Sequence, residues 1–370
     1  MAFAPLKEWL NLDVRSLWGP TKQLLGLDIG SSAIKLVQIK EHKGRYVLQK
    51  FGVRSLEPEV IVDGTVMDVA RVVATIKDLL EETDAKLKQV AMSISGHSVI
   101  VKKITLPPMS DDELEEQVQR AAEQYIPFDI NEVNLDFHIL NPLEQSDDGQ
   151  PSMSVLLVAA KKEKVSELVE LVRAAGLTPA VLDVDAFAIE NMYGANYGVH
   201  PDEVTALVNI GASVLNVNIL KGDAPLFTRD VSIGGNRYTE LIQRDLGVSY
   251  DEAEAAKKGE GREGVDKAAV AGVIDSVNAE VSSEIARSVD HFKATYTDGD
   301  VNKIFLCGGC AKVAGLAQQL QERMGGTIEL ADPFHRVDTV MGGFDPEFLA
   351  DVAPQAAVGV GLALRSVGDR

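Results

Sequence analysis

The sequence predicts an α/β protein of two like lobes, each built on a β-hairpin core, with a smaller α+β module inserted into the first. Three observations carry that prediction. The segment Leu27-Asp28-Ile29-Gly30-Ser31-Ser32-Ala33-Ile34-Lys35-Leu36 recurs in the second half as Val208-Asn209-Ile210-Gly211-Ala212-Ser213-Val214-Leu215-Asn216-Val217, ungapped through Lys40 and Lys221. Each copy reads as an apolar strand, a Gly-containing turn and a second alternating strand. Between the copies, residues 90–180 break the mirror with a β, α, β, β, α run of their own.

The elements follow in order. Residues 24–56 form the first hairpin, turning at Glu41–Gly44. A helix is predicted from about Val66 to Glu82, with Val69, Val72, Val73, Ile76, Leu79 and Leu80 on one face. Val90–Ile104 alternates like a strand pair and stops at Leu106-Pro107-Pro108. Ser110 and Glu113 then form a capping box for a helix whose stripe is Leu114, Val118, Ala121 and Tyr125. Two strands, Val133–Leu140 and Met153–Ala160, flank a polar loop, and a helix over Lys164–Ala175 ends at Gly176. The second half repeats the plan with a hairpin at 204–233 and a long helix striped by Ile274, Val277, Val281, Ile285, Val289 and Phe292. A strand at Lys303–Leu306 and a small-residue helix at 355–365 close the chain.

The predicted boundaries are an amphipathic segment (1–23), the first part of lobe I (24–89), the insert (90–180), a connection (181–203), lobe II (204–354) and a helix returning to lobe I (355–370). In the opening segment Phe3, Leu6, Leu10, Val14 and Leu17 recur at helical spacing. Three readings fit it: packing on the body or no stable structure in isolation, docking to a partner, or lying on a membrane surface. Lys7 and Arg15 are the only basic residues among positions 1–20, so the membrane reading is the weakest.

With 36 basic and 56 acidic residues, the net charge of -20 favours solubility and argues against nucleic acid or broad contact with an anionic membrane. Apolar stretches such as Val155–Ala160 fall far short of the roughly 20 residues of a membrane span. No charged-then-apolar signal opens the sequence, so a cytoplasmic location is expected. Cys307 and Cys310 form one C-x-x-C, while the histidines show no ligand spacing; a Gly-rich loop made for another purpose explains the pair better than zinc or redox chemistry.

The turns carry the chemistry. Backbone N–H groups of a Gly-rich turn make an anion-binding concavity, so two facing turns suit a phosphate chain. Asp28, at a strand end, can hold magnesium through water. Gly30, Ser31 and Ser32 offer donors, and Lys35 returns on the next strand as a point charge. An ordinary hairpin would use the same turn residues. Asn209, Gly211, Ala212 and Ser213 supply the opposing donors, but Asn209 carries no charge. Gly308 and Gly309 let a ring or ribose approach the backbone ahead of a helix. Glu254 and Lys257 share one helix face and could hold ribose hydroxyls, or form a mere surface ion pair. Gly234-Gly235-Asn236, between a strand and a helix, is a further point of backbone approach.

Other signals fail. Gly259–Gly264 matches G-x-G-x-x-G, but no strand leads into it and it reads as a solvated loop. There is no G-x-x-x-x-G-K-[ST] and no G-x-S-x-G.

Together Leu27–Lys35, Val208–Ser213 and the Gly-Gly loop Phe305–Lys312 resemble the phosphate and adenosine motifs of the actin-like ATPase superfamily. Leu106-Pro107, Asp112-Glu113-Leu114, Ala122–Asp129 with its Ile126-Pro127-Phe128, and Asp183–Ala188 are more specific. They resemble the PilM family, the cytoplasmic actin-like component of type IV pilus assembly, over roughly residues 24–365. The insert is placed similarly to that of the FtsA division proteins, without an FtsA-type C-terminal amphipathic anchor.

The resemblance implies ATP and Mg2+ in the cleft between lobes. Asp28 and Asp185 should lie near the metal, the latter as the catalytic candidate. Ser31, Ser32, Lys35, Gly211, Ala212 and Ser213 should contact phosphates, and Glu254, Lys257, Gly308, Gly309, Cys310 and Lys312 belong to the adenosine side. It also implies a groove between lobe I and the insert for the cytoplasmic N-terminal peptide of PilN, which would bring the chain to the inner-membrane assembly platform. Asn209 stands where active members carry an acid, so hydrolysis is expected to be weak or absent. The alternatives are an ATP-hydrolysing enzyme on the same fold and an FtsA-like, self-associating filament protein.

Overall fold

The computed structural model describes residues 23–145, 149–260, 265–296 and 299–368. Residues 1–22 of the amphipathic segment and positions 261–264 of the Gly-rich loop lie outside the described residues.

In the first half, β1 (Leu25–Ile29), β2 (Ala33–His42) and β3 (Arg45–Ser55) form an antiparallel meander. A two-residue pair, β4 (Ile61–Val62) and β5 (Thr65–Val66), precedes α1 (Val69–Glu82) and β6 (Gln89–Ile94). The helix starts later than its periodicity predicts, because Val66 is held in β5 and the Asp68 side chain caps the Arg71 N–H at 2.9 Å. Next come β7 (Val99–Leu106), α2 (Asp111–Tyr125), β8 (Val133–Gln145) and β9 (Pro151–Lys161), then α3 (Lys162–Ala174), β10 (Thr178–Val184) and α4 (Asp185–Tyr197). The Ser110–Glu113 capping box is present at the start of α2.

The second half repeats the meander as β11 (Val204–Ile210), β12 (Leu215–Lys221) and β13 (Ala224–Val231). It continues through α5 (Gly235–Leu246), α6 (Tyr250–Lys257), α7 (Lys267–Thr295), β14 (Lys303–Cys307), α8 (Leu316–Met324) and β15 (Thr327–Leu330). The chain then returns to the first sheet with β16 (Val337–Asp338), α9 (Pro346–Val352) and α10 (Ala357–Ala363).

The two sheets have the same plan. One runs β10-β6-β1-β2-β3-β16 and the other β15-β14-β11-β12-β13. In each, the first meander strand pairs in parallel with a later strand on its free side: β1 with β6, β11 with β14. The repeat seen in the sequence is therefore a repeat of topology, and the two turns occupy equivalent places.

Strand pairing moves the edges of the insert. β6 and β10 pair with each other in the lobe I sheet, and α3 packs on the lobe I core through Val165, Leu168, Leu171 and Val172. Val90–Ile104 therefore splits: β6 joins lobe I, while β7 joins a separate sheet, β7-β9-β8. That sheet and α2 enclose their own core of Ile104, Leu114, Val118, Ala122, Met153, Val155 and Leu157. By topology the inserted layer is β7 to β9, narrower than 90–180.

α4 leads from lobe I to lobe II, and α10 lies against it. Around these helices one core joins residues of both lobes, including Leu24, Val37, Ile189, Met192, Leu207, Phe305, Val360 and Leu362. α10 is built of small residues for a reason. A Cβ on Gly359 would meet Val37 Cγ2 at 2.8 Å, and one on Gly26 would lie 2.7 Å from the Ala363 nitrogen. The second lobe buries the α7 stripe predicted from its periodicity, Ile274 to Phe292, against β11–β14.

Candidate functional site

The two sheets face each other across a cleft of about 860 Å³, within the size range of a cofactor site. Of the expected site residues, Asp28, Gly30, Ser31, Ser32, Lys35, Asp185, Asn209, Gly211, Ala212, Ser213, Gly235, Asn236, Glu254, Lys257, Gly308, Gly309, Cys310 and Lys312 all line it. Gly234 is the exception.

The two turns close in the same way. The Gly30 N–H donates to Ala33 O at 3.1 Å, and the Gly211 N–H donates to Val214 O at 2.9 Å. These amides are consumed inside their turns, and the residues that follow them line the cleft. Asp28 is 8% exposed, and Lys35 Nζ lies 3.1 Å from its Oδ2, the two being direct cross-strand partners. An ammonium and a carboxylate are thereby held together at the mouth of the first turn.

Gly234 and Gly235 serve lobe II itself. Gly235 N–H donates to Gly211 O at 2.9 Å and Asn236 N–H to Ala212 O at 2.8 Å, so the start of α5 is docked on the second turn. A Cβ on Gly234 would lie 2.5 Å from Gly211 O and 2.6 Å from Ala212 O. Gly234 thus permits a turn-to-helix contact behind the cleft rather than an approach to a ligand. The side chains repeat the theme, with Asn236 Nδ2 donating to Ser213 Oγ at 3.2 Å.

On the far side, Lys257 is no solvated partner. Its side chain is 9% exposed; it pairs with Glu254 and donates to Thr239 Oγ1 at 3.0 Å and Gly235 O at 3.3 Å. Glu254 also accepts from the Thr239 hydroxyl. Gly308 has φ +91° and donates to Pro354 O at 2.7 Å; a Cβ there would sit 2.5 Å from Asn209 Oδ1. Only glycine fits that backbone and that distance. Gly309, by contrast, has open space around it. Cys307 and Cys310 are free and buried; Cys307 Sγ lies 3.6 Å from Val208 O, and Cys310 packs under Gly235. Lys312 reaches away to Asp351, donating to its Oδ1 at 2.6 Å and its carbonyl at 3.1 Å, and so ties the loop to α9.

Asp185, the first residue of α4, faces these turns from the lobe junction. Burial, and then the charge of Asp28, push its carboxyl up to about 6, against hydrogen bonds from Ser93 and Ser95. Among the described residues no group of three His, Cys, Asp or Glu side chains could ligate a metal directly. The facing carboxylates of Asp28 and Asp185 fit a cation that keeps its water shell, as magnesium does.

Sequence reasoning missed Ser93, Ser95 and Tyr250 on the cleft wall. Ser93 was detectable only as the end of a strand parallel to β1. Asn216 was in plain view: it is the repeat partner of Lys35, and like Lys35 it lines the cleft.

The family profile of the type IV pilus assembly protein PilM matches residues 26–367. The chain belongs to the PilM family. A solved structure of a PilM–PilN type IV pilus biogenesis complex superposes with a TM-score of 0.84 at 34% identity, covering 95% of this chain and all of the other. Two more distant structures share the fold alone. The ethanolamine utilization protein EutJ of Carboxydothermus hydrogenoformans has a TM-score of 0.56 at 16% identity, over 96% of each chain. MreB5 of Spiroplasma citri bound to ADP has 0.54 at 12% identity, over 92% of this chain and 95% of its own. The fold of this PilM-family chain is thus actin-like, as its paired turns predict. Among its described residues no helix is long and apolar enough to cross a membrane.

Proposed function

We propose that this PilM-family chain is an ATP-binding switch of the type IV pilus assembly platform, working with Mg2+. In this reading it sits in the cytoplasm and is held at the inner membrane by the N-terminal peptide of a PilN protein. One observation carries the nucleotide reading: two topologically equivalent Gly-Ser turns, on separate sheets, line one cleft opposite the open Gly309 backbone. Ser31, Ser32, Ala212 and Ser213 would face phosphates, with Lys35 as the cation. Glu254 and Lys257 would border the ribose, with Gly308-Gly309 against the base. Asp28 and Asp185 would hold the hydrated magnesium, whose contribution is charge neutralisation at the phosphates. With Asn209 uncharged in the second turn, turnover would be slow or absent, and Asp185 is the residue to carry it if it occurs. A bound nucleotide joins both sheets, so it favours a closed cleft by population shift.

The partner reading has its own support. A groove of about 100 Å³ lies between lobe I and the insert, walled by Met92, Val165, Val169, Val181 and Leu182 with Asn134 of β8. One wall, β10, is the edge strand of the six-stranded sheet. An extended apolar peptide suits such a place, with main-chain bonds to the edge and side chains in the groove. Glu170 and Arg173 rim it. The solved structure of a homologous PilM is of a complex with PilN, and we assign the N-terminal peptide of a PilN protein to this groove.

The test is the identity of nucleotide retained after incubation with magnesium and labelled ATP. Intact ATP supports a non-hydrolysing scaffold. ADP with released phosphate supports a working switch, and no retained nucleotide overturns the reading.

A further inference from the structure

Lobe II carries a polar row that the turn and loop motifs cover only in part. Strand register places Cys307, Asn209, Asn216 and Asp230 side by side across β14, β11, β12 and β13. Asn216 is 2% exposed and lines the cleft, and its Oδ1 has no hydrogen-bond partner. Leaving a buried acceptor unmatched costs about 1–3 kcal/mol, so a partner for it is required. Its orientation is fixed from behind, because Nδ2 donates to the Asp230 carboxylate. Turning the amide over would set its oxygen against that carboxylate, acceptor against acceptor. The free oxygen is therefore directed away from Asp230, on a residue that lines the cleft.

Asp230 is itself held from the other lobe. Its Oδ2 accepts the Gly96 N–H at 2.5 Å, and beside it His97 Nε2 and Ser232 Oγ are 2.6 Å apart. Asp28 and Asp185 set two carboxylates in the same cleft as this orphaned amide oxygen, and a hydrated divalent cation answers both, its charge serving the carboxylates and its water protons the oxygen.

We infer that Asn216 is a lobe II partner of the water shell of a divalent cation in the cleft, and that Asp230 is its positioning residue. The inference rests on the nucleotide-and-cation reading above. It gives Asn216 the place in lobe II that Lys35 holds in lobe I, one facing the cation and the other the phosphates. Because Asp230 also holds Gly96, just ahead of β7, cation binding bears on the joint between lobe II and the inserted sheet.

The experiment is Mn2+ binding to the full chain with ATP, followed by electron paramagnetic resonance, for the wild type, Asn216→Ala and Asp230→Asn. Asp230→Asn keeps the shape of the side chain and an acceptor for Gly96, which guards against a simple folding failure. Mn2+ affinity should fall about tenfold or more in both variants, as for other groups that orient metal ligands. In both, the spectrum of the bound ion should change. Wild-type affinity and spectrum in both variants would overturn the inference and leave the nucleotide reading standing. A wild-type chain that holds no Mn2+ in the presence of ATP overturns both.

Discussion

Gly361 of α10 lies directly against Ala188 of α4: a Cβ on Gly361 would stand 2.9 Å from Ala188 Cα and closer still to its carbonyl oxygen. These two helices sit at the joint between lobes, so their separation is set by a hydrogen atom. Gly361→Ala should force them apart and destabilise the chain by about 1–3 kcal/mol, the usual range for overpacking. Gly194, also on α4, has nothing within 4 Å of its Cβ direction. Gly194→Ala should instead stabilise by about 0.5–1 kcal/mol through helix propensity. Thermal melting of both variants checks this, and shifts of the same sign would refute the packing argument.

Lys35→Ala should weaken ATP binding about tenfold to a hundredfold, the scale of a lost charged hydrogen bond of about 1.5–3 kcal/mol. The substitution also strips Asp28 of its partner at 3.1 Å. Calorimetric titration reads the effect directly. Unchanged affinity would remove Lys35 from the phosphate site.

Val169→Asp should abolish binding of a PilN-type N-terminal peptide while leaving nucleotide binding intact. It sets a carboxylate in the apolar wall between α3 and β10, where an unpaired charge is costly. Fluorescence polarisation of a labelled peptide measures it. Wild-type peptide affinity in this variant would place the partner elsewhere.

Glu190 gives a pH prediction. Burial pushes its carboxyl up to about 8, with the charge of Asp183 adding to the rise and the hydrogen bond from Asn218 opposing it. Asn218 Nδ2 donates to Glu190 Oε1 at 2.6 Å, and Arg365 pairs with Asp183 at 3.1 Å alongside. The folded chain keeps a proton that the unfolded chain loses near the ordinary carboxylate range. Stability therefore falls as pH rises from about 4.5 to 8. Glu190→Gln cannot ionise, so its advantage over the wild type in urea midpoint should grow between pH 5 and pH 8. A constant difference would show that Glu190 is ionised in the fold.

How much of this was legible beforehand differs by residue. The Ser110 capping box forms as read, because a cap is decided within four residues. The turns at Gly30 and Gly211 are equally local. Glu254 and Lys257 were legible as a pair by helical spacing, but not as a buried one: their burial comes from Thr239 and Gly235, on another helix. Lys312 looked like a ligand contact, yet Asp351, far along the chain, takes it.

By itself the sequence determined the duplication, the strand and helix alternation, and the residues of the two turns, since periodicity and turn chemistry act over a few positions. Tertiary structure decided which strand lies beside which. It sent β6 to lobe I and β7 to the insert, although only a 3-10 turn at Gly96–Ser98 separates them. It also turned Gly234 into a packing residue and set Asp230 behind Asn216. Those outcomes depend on pairing register and close approach between segments far apart in the chain, where a hydrogen-bond partner is chosen by distance in space rather than by spacing along the sequence.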